Sequence, residues 1–321
     1  MSPPAELSIV VGTYNRLDQL RMCIESILRE TRTGFVLHVT DAGSTDGTVE
    51  FLRELASERI RPHLVGRRLG QARAYNEIFA LVDTPHVCWL SDDNIVVDGG
   101  LDLGLEILRR DSRIGMVGLK VRDIAGPFAA APYIGGISEF GILNVNQGML
   151  PTRVLRQVGG FSEAFRDYGI DPDLTAKVLL SGWDVVYTKR VAIHHQRNWP
   201  SDTASAEWRA MMARQAAYRE MYRAKYRQTL APSPTHLAKR AAWKAIRSVF
   251  GRRLDLDSHE PVIGQLPRDW NNILAGRFIS LFDGIRHRRE PFHLRQHCPR
   301  RVRPARLPVE ESAQPSSAAS A

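Results

Sequence analysis

Short apolar runs alternate with stretches of helical spacing through the first 120 or so residues of the chain. Apolar, β-branched runs predict buried strands at 7–12, 35–40, 63–66, 87–90 and 116–121. Apolar residues at helical spacing predict helices between them at 17–28, 49–56, 71–82 and 101–110. This alternation predicts an α/β fold with a mainly parallel, doubly wound sheet.

The pattern becomes less regular after this point. Residues 122–145 are rich in Gly, Ala and Pro and predict a long loop, which in a compact domain is often functional. A short helix is expected between Pro151 and Gly159, because Pro favours a helix start and Gly the position after its end. A helix from Asp171 and a final strand reaching His195 complete the predicted sheet domain, residues 1–204.

The C-terminal third has helical periodicity without strands. In residues 205–229, one predicted helical stripe contains Trp208, Met211, Met212, Gln215, Tyr218, Tyr222 and Tyr226. Further amphipathic helices are predicted at 236–253, which is basic, and at 268–287. These stripes are expected to pack on the sheet domain or on a second subunit. We therefore predict a basic helical extension over 205–309 and a disordered tail over 310–321.

Charge is distributed unevenly along the chain. Residues 1–204 carry 22 Lys and Arg against 25 Asp and Glu, a net charge of −3, whereas residues 205–321 carry 22 against 10, a net charge of +12. The basic extension indicates an anionic partner, such as a lipid surface, a phosphorylated acceptor or nucleic acid. Three scattered cysteines and the lack of an apolar run of about 20 residues predict a cytoplasmic protein, with the basic helix at an anionic membrane surface.

Polar side chains follow several predicted strands, at the edge where ligands collect in such sheets. Thr13 and Tyr14 follow the first strand, Asp41 the second, and the adjacent pair Asp92 and Asp93 the fourth. Two neighbouring carboxylates repel each other unless a cation or hydrogen-bond donors hold them. They form either an ordinary acidic turn or a site for Mg²⁺ or Mn²⁺, which prefer oxygen ligands.

Taken in order, the motifs of about 195 residues resemble those of family 2 glycosyltransferases. The matching segments are Ile9–Arg16 (IVVGTYNR), Asp41–Thr48 (DAGSTDGT), Leu69–Asn76 (LGQARAYN), Leu90–Asp93 (LSDD), Gly159–Phe165 (GGFSEAF), Gly169–Leu174 (GIDPDL) and the closing His194–His195. The chain departs from the family pattern at Ala42, Ser91 and Ile170, where acidic residues are usual. The resemblance does not extend into residues 205–321.

The resemblance implies a GT-A fold, a nucleotide-sugar donor (a UDP-, dTDP- or GDP-sugar), a divalent cation and inversion at the anomeric carbon. It assigns the metal to Asp93, with Asp92 assisting, and the pyrimidine base to Asp41. His194 is expected to complete the metal shell, with His195 as the alternate. The implied donor-binding set is Thr13, Tyr14, Asn15, Arg16, Asp41, Gly70, Arg73, Asp92 and Asp93.

Three of these assignments keep a structural alternative. Asp41 is also a favourable N-cap for the following helix. Arg73 suits the diphosphate, but it also suits a solvated helix face. By the resemblance Asp171 is the general base, and a helix N-terminus should favour its ionised form. Its alternative role is an N-cap with Pro172 at the first helical position.

The sequence thus predicts an inverting sugar transferase that acts on a saccharide or lipid-linked acceptor in surface polysaccharide or glycoconjugate synthesis. A sugar-phosphate nucleotidyltransferase is a second possibility, although Gly12–Arg16 is a poor phosphate-binding loop. A basic nucleic-acid-binding protein is the third. Nucleic acid is not expected as a partner, since the acids lie in the predicted site and the basic residues elsewhere. Homo-oligomers through the C-terminal helices also fit the sequence.

Overall fold

The computed structural model describes residues 4–125, 140, 142, 144–197, 199–200, 202–230 and 290–297, with single positions between 234 and 249. Its strands are β1 (Leu7–Thr13), β2 (Phe35–Asp41), β3 (Ile60–Leu64), β4 (His86–Ser91), β5 (Asn94–Val96), β6 (Ile114–Ala125), β7 (Gly148–Pro151), β8 (Asp184–Gln196) and β9 (Phe292–Gln296). Its helices are α1 (Leu17–Glu30), α2 (Thr48–Leu55), α3 (Gln71–Phe79), α4 (Gly100–Arg110), α5 (Thr152–Val158), α6 (Ile170–Leu180) and α7 (Ala206–Leu230).

The described strands form one mixed sheet in the order β3-β2-β1-β4-β7-β6-β8-β5, and β9 pairs with β8. Neighbours β3, β2, β1 and β4 are parallel, as are β6 and β8. Strand β7 is antiparallel to both β4 and β6, and β5 and β9 are antiparallel to β8. The predicted α/β fold with a mainly parallel, doubly wound sheet is confirmed, although β5, β7 and β9 were not predicted.

Two hydrophobic cores lie on opposite faces of this sheet. Along β1, Ile9 and Val11 belong to one core and Val10 to the other, as the alternation of side chains in a strand requires. Both faces of the sheet are therefore buried, which explains why the parallel strands are continuous apolar runs in the sequence. This arrangement leaves the polar chemistry at the strand ends.

Helix α7 confirms the stripe predicted for residues 205–229. Its buried residues Met211, Tyr222, Tyr226 and Leu230 face inward, and the last three join the core that contains α5 and α6. The position of the domain boundary after residue 204 stays a prediction, but α7 packs against the sheet-bearing part of the chain. Most of 126–143, the helix predicted at 268–287, the tail 310–321 and most of the basic helix at 236–253 lie outside the described residues.

Candidate active site

Strand register brings the predicted polar residues to one edge of the sheet. In the parallel pairs, Thr13 lies opposite Asp41, and Gly12 opposite Ser91. The chain then turns at Asp92 and Asp93 into β5. The carboxyl ends of β1, β2 and β4 thus meet, as expected for a ligand site in a doubly wound sheet.

The two adjacent carboxylates are held by a network of donors. Thr13 Oγ1 donates to Asp92 Oδ2 at 2.9 Å, and Arg16 Nη1 donates to Asp92 Oδ1 and to Asp93 Oδ2, both at 3.1 Å. His195 Nε2 lies 3.3 Å from Asp93 Oδ1. The pair is therefore an acidic turn, but one whose charge is compensated by side chains from β1, the start of α1 and β8.

The two carboxyl groups titrate differently. Burial, with a smaller contribution from the neighbouring Asp93, raises the pKa of Asp92 to about 6, although Arg16 and Thr13 oppose the rise. Burial also acts to raise the pKa of Asp93, but hydrogen bonding and charge from His195 and Arg16 outweigh it and lower that pKa. Asp93 is thus the carboxylate that stays ionised, which suits a ligand for a cation.

The histidine beside the acids is His195. Among the described residues, the contact with Asp93 is made by His195, the alternate, and not by His194, whose place in the metal shell stays a prediction. Successive side chains of a strand point to opposite faces, and β8 turns His195 toward the acids. Its Nδ1 lies 2.8 Å from Asp123 Oδ1, and Arg197 Nε donates to Asp123 Oδ2 at 2.7 Å. Burial lowers the pKa of His195, but the two carboxylates outweigh it and raise the pKa to about 9.

Asp41 is fully buried at the end of β2. Its Oδ2 accepts the backbone N–H groups of Gly43 and Ser44, at 2.9 and 3.0 Å. Its Oδ1 is buried without a hydrogen-bond partner among the described residues. Because α2 begins at Thr48 after Gly47, Asp41 is not the N-cap of that helix. A buried carboxylate oxygen without a partner is an unused acceptor for an N–H or O–H group.

The turn after Asp41 also depends on a glycine. Gly43 has φ +88°, and a Cβ placed there would lie 2.7 Å from the carbonyl oxygen of Gly66. Ala42, where the resemblance expects an acid, contributes its backbone N–H to the Thr13 carbonyl at 3.1 Å. Alanine at position 42, in place of the acid of the family pattern, therefore does not disrupt the turn between β2 and α2.

Tyr14 and Asn15 lie on the loop after β1. Asn15 has φ 51°, its Oδ1 accepts the N–H of Thr45 at 2.8 Å, and its own N–H donates to Ser44 Oγ at 2.8 Å. Asn15 thus joins the loops that follow β1 and β2. Tyr14 is 39% exposed, and the guanidinium of Arg68 lies 4.8 Å from its ring centroid. The Tyr14 ring is thus partly exposed, with Arg68 over one side of it.

Asp171 lies in the first turn of α6, close to the end of β4. The N-cap of α6 is Gly169, so Asp171 is a helical residue and not the cap. Burial raises its pKa to about 8, opposed by the nearby indole N–H of Trp89. The helix N-terminus is expected to favour the ionised form, but burial acts in the opposite direction and raises the pKa.

A tyrosine connects Asp171 with the acidic turn. Tyr75 of α3 donates its hydroxyl hydrogen to the carbonyl of Leu90 at 2.5 Å and accepts the N–H of Gly12 at 3.0 Å. Burial raises the pKa of Tyr75 strongly, and the charges of Asp92 and Asp171 add to the rise. Both carboxylates therefore act on the same phenol, so Asp171 belongs to the edge that carries Asp92.

Two predicted donor-site residues have other surroundings. Arg73 Nε donates to Glu77 Oε1 at 3.1 Å in an exposed pair one helical turn apart, which is the solvated-face alternative. Gly70 precedes α3 with φ +88°, and a Cβ there would lie 2.6 Å from Cγ of Arg166. Gly70 thus makes room for the segment after β7, whose Asp167 Oδ1 accepts the N–H of Gln71 at 3.0 Å. The structure brings neither residue to the acidic turn.

Metal binding can be tested against the donor set. In the described part of the chain, no group of three or more His, Cys, Asp or Glu side chains is arranged to hold a metal ion. Mg²⁺ and similar cations, however, take only one or two protein carboxylates when phosphate and water oxygens supply the rest. The ionised Asp93, assisted by Asp92, fits that limited role.

Comparison with known proteins decides the family. The profile described as glycosyl transferase family 2 matches residues 8–167. The chain belongs to the family 2 glycosyltransferases. Membership in this family favours the transferase interpretation over the nucleotidyltransferase and nucleic-acid-binding alternatives.

Curated relatives of this glycosyltransferase chain match parts of it at low identity. An uncharacterized glycosyltransferase of Nostoc sp. is 26% identical over 115 residues, 35% of this chain and 35% of its own length. Chondroitin synthase of Escherichia coli is 27% identical over 119 residues, 37% of this chain and 17% of its own length. The matched segments thus span about a third or less of these relatives.

Solved structures share the GT-A fold. A mannosyltransferase from Pyrobaculum calidifontis, in complex with GDP-Man and Mn²⁺, superimposes with a TM-score of 0.53 at 19% identity, over 85% of each chain. TarS (residues 1–349) of S. aureus, in complex with UDP-GlcNAc, gives a TM-score of 0.52 at 14% identity, over 84% of this chain and 79% of that one.

None of the described helices is long and apolar enough to cross a membrane.

Proposed function

We propose that this protein is an inverting glycosyltransferase. It moves a sugar from a nucleotide-diphosphate donor to a hydroxyl group of a saccharide or lipid-linked acceptor. The observation that carries this proposal is the unpaired Oδ1 of buried Asp41, which lies one strand from Thr13 and two from the turn of Asp92 and Asp93. An acceptor for a base N–H thus lies on the same sheet edge as carboxylates suited to a cation.

The donor's nucleoside binds along the loop after β1. Asp41 accepts a hydrogen bond from the base, and the exposed ring of Tyr14 contacts the nucleoside, with Arg68 over that ring. Asp92 lies nearest the ribose. This assignment keeps the predicted roles of Thr13, Tyr14, Asp41 and Asp92, gives Asn15 and Gly70 structural roles, and removes Arg73 from the diphosphate.

The diphosphate lies at Asp93, which would hold Mg²⁺ or Mn²⁺ with assistance from Asp92. When bound, such a cation neutralises the charge that develops on the leaving diphosphate. The mannosyltransferase neighbour was solved with GDP-Man and Mn²⁺, and TarS with UDP-GlcNAc, which supports a donor of this class. His195 remains hydrogen-bonded to Asp123 and fixes the orientation of Asp93.

Asp171 is the general base. In its ionised form it takes the proton of the acceptor hydroxyl, whose oxygen attacks the anomeric carbon from the face opposite the diphosphate. The bond to the diphosphate oxygen breaks as the new glycosidic bond forms, so the configuration inverts. A pKa near 8 is well matched to this role, because a base works best when its pKa is close to the working pH.

The acceptor belongs to surface polysaccharide or glycoconjugate synthesis, in keeping with the chondroitin synthase among the relatives. We place the reaction at the cytoplasmic face of the membrane. The support for this placement is the net charge of +12 over residues 205–321, which suits an anionic surface.

Thermal stabilisation by candidate donors tests the proposal. The full chain is heated with UDP-, dTDP- and GDP-sugars, each with Mn²⁺, with Mg²⁺ or with EDTA. A ligand that binds only the folded state raises the melting temperature, so one donor class should stabilise the protein in the presence of a cation. If no donor of the three classes stabilises it with either cation, the proposal is wrong.

A further inference from the structure

Arg16 occupies the position between the two carboxylates of the acidic turn. It precedes α1 on the loop that leaves β1. A single nitrogen, Nη1, donates to Asp92 Oδ1 and to Asp93 Oδ2, both at 3.1 Å. One guanidinium nitrogen has two hydrogens, and both are used here. A permanently charged group thus bridges the two acids that a divalent cation would need.

The cationic groups around Asp93 differ in how firmly they are held. His195 is 13% exposed and is fixed from behind by Asp123, which Arg197 also binds. The side chain of Arg16 is 39% exposed. Among the described residues, its only hydrogen-bond partners are Asp92 and Asp93, so Nε and Nη2 remain available. Arg16 is therefore the group that can leave the turn and meet another anion.

We infer that Arg16 is the resident counter-ion of the carboxylate pair, and that it makes binding of the divalent cation conditional on the donor diphosphate. A cation alone would have to displace the guanidinium or bind beside it against charge repulsion. A diphosphate offers Arg16 new oxygen partners. It also supplies negative charge, so the divalent cation can bind near the guanidinium. This inference rests on the proposed function, because it takes the diphosphate to lie at Asp93.

Mn²⁺ binding tests this inference without a turnover assay. Free Mn²⁺ is measured by electron paramagnetic resonance in titrations of the full chain, alone and with UDP, dTDP or GDP. For the wild type, the cognate nucleotide should tighten Mn²⁺ binding at least 10-fold. In Arg16→Gln, Mn²⁺ alone should bind at least 10-fold tighter than to the wild type, so the nucleotide adds less.

Two variants serve as controls. Arg21→Gln removes an equal charge from an exposed position of α1, where the guanidinium stacks on Phe51, and should bind Mn²⁺ like the wild type. Arg16→Lys keeps a cation at the turn and should retain most of the dependence on nucleotide. Circular dichroism melting establishes that each variant is folded.

The results separate the inference from the proposed function. If Arg16→Gln binds Mn²⁺ alone no tighter than the wild type while nucleotide still binds, the counter-ion role is wrong and the proposed function stands. The wild type also tests the role by itself, since equal Mn²⁺ affinity with and without nucleotide overturns it. Nucleotide binding that EDTA leaves unchanged overturns it as well. If no nucleotide binds with or without Mn²⁺, both proposals fail.

Discussion

Asp123 and His195 are joined by a contact of 2.8 Å between Oδ1 and Nδ1, across the parallel strands β6 and β8. The contact turns Nε2 of the imidazole toward Asp93. Asp123 is thus a positioning residue: it fixes the ring that fixes the carboxylate. Replacing it with Asn removes one of the two charges that keep His195 protonated.

His195 should make the protein less stable as the pH rises. Its pKa in the folded protein, about 9, exceeds the ordinary value of 6.5. The folded state therefore holds the proton of His195 more tightly than the unfolded state does. The stabilisation by the protonated imidazole is complete below pH 6.5 and is lost as the pH rises through 9. Between these values, the free energy of unfolding should fall by at most about 3 kcal/mol more in the wild type than in His195→Gln.

Urea unfolding at several pH values measures this difference, and the histidine NMR resonances report the pKa directly. In Asp123→Asn the pKa of His195 should move down toward 6.5. Equal pH dependence of stability in the wild type and His195→Gln would contradict the assignment.

Asp171→Asn should abolish most transfer while donor binding persists. The amide cannot take a proton, so turnover should fall by about 10²-fold or more, with the donor Kd nearly unchanged. In the wild type, kcat/KM should rise with pH through about 8, as the carboxyl group ionises. Steady-state kinetics and calorimetric binding provide both quantities.

Stability supplies a control for Asp171 that is independent of catalysis. A carboxyl group whose pKa is raised in the folded state costs stability when it ionises. Asp171→Asn should therefore be more stable than the wild type above about pH 8 and closer to it near pH 5. Undiminished turnover by the Asn variant would remove Asp171 from the role of base.

Asp41→Asn should weaken nucleotide binding without unfolding the protein. The amide can keep one oxygen on the N–H groups of Gly43 and Ser44, but a donor then replaces the open acceptor. The nucleotide Kd should rise by about 10- to 100-fold, since a mismatched buried polar group costs roughly 1–3 kcal/mol.

Asp46→Asn is the matched control for this prediction. Asp46 lies in the same connection, but its Oδ1 accepts from Thr48 at the start of α2. That variant should lose some stability and keep the nucleotide Kd of the wild type. If both variants bind nucleotide equally well, Asp41 does not contact the base.

Tyr226→Phe tests how α7 supports the helix that carries Asp171. The Tyr226 hydroxyl donates to Oδ1 of the fully buried Asp173 at 2.8 Å, and Lys225 Nζ lies 2.9 Å from the same atom. Hydrogen bonds to charged groups contribute about 1.5–3 kcal/mol, so the free energy of unfolding should fall by that amount.

Tyr218→Phe, at a half-buried position of the same helix, should have a much smaller effect on urea unfolding. A chain truncated after residue 204 would lose all of α7 and expose the core that Tyr222 helps to close. A truncation there that folds as stably as the full chain would show that α7 is dispensable for the fold.

Most of the site could be predicted from one rule, that ligands of a doubly wound sheet collect at the carboxyl ends of its strands. It located Asp41 and the acidic turn, because a buried run followed by a polar residue is visible in one sequence. Asp123 also lies near the end of a strand, because β6 extends to Ala125. The sequence predicts that this strand ends at residue 121, so Asp123 falls in the loop predicted over 122–145. The same rule applied with that longer strand would have found it.

Other features depend on three-dimensional contacts that sequence spacing does not contain. The choice between His194 and His195 depends on the face of the sheet to which each side chain of β8 points, and this is set by how β8 pairs with β5 and β6. The raised pKa of Asp171 reflects burial, whereas its helical position alone predicted an ionised group. Arg16 bridges Asp92 and Asp93, which lie 76 and 77 positions further along the chain.

In the proposed function, the carboxyl edge of the sheet binds a nucleotide sugar through Asp93. Calorimetric titration of the stabilising donor with Mn²⁺, into the wild type and Asp93→Ala, tests it most directly. The wild type should bind the donor, and Asp93→Ala should lose binding by 100-fold or more while retaining a cooperative melt. Equal donor affinity in the two folded proteins would show that Asp93 does not hold the donor.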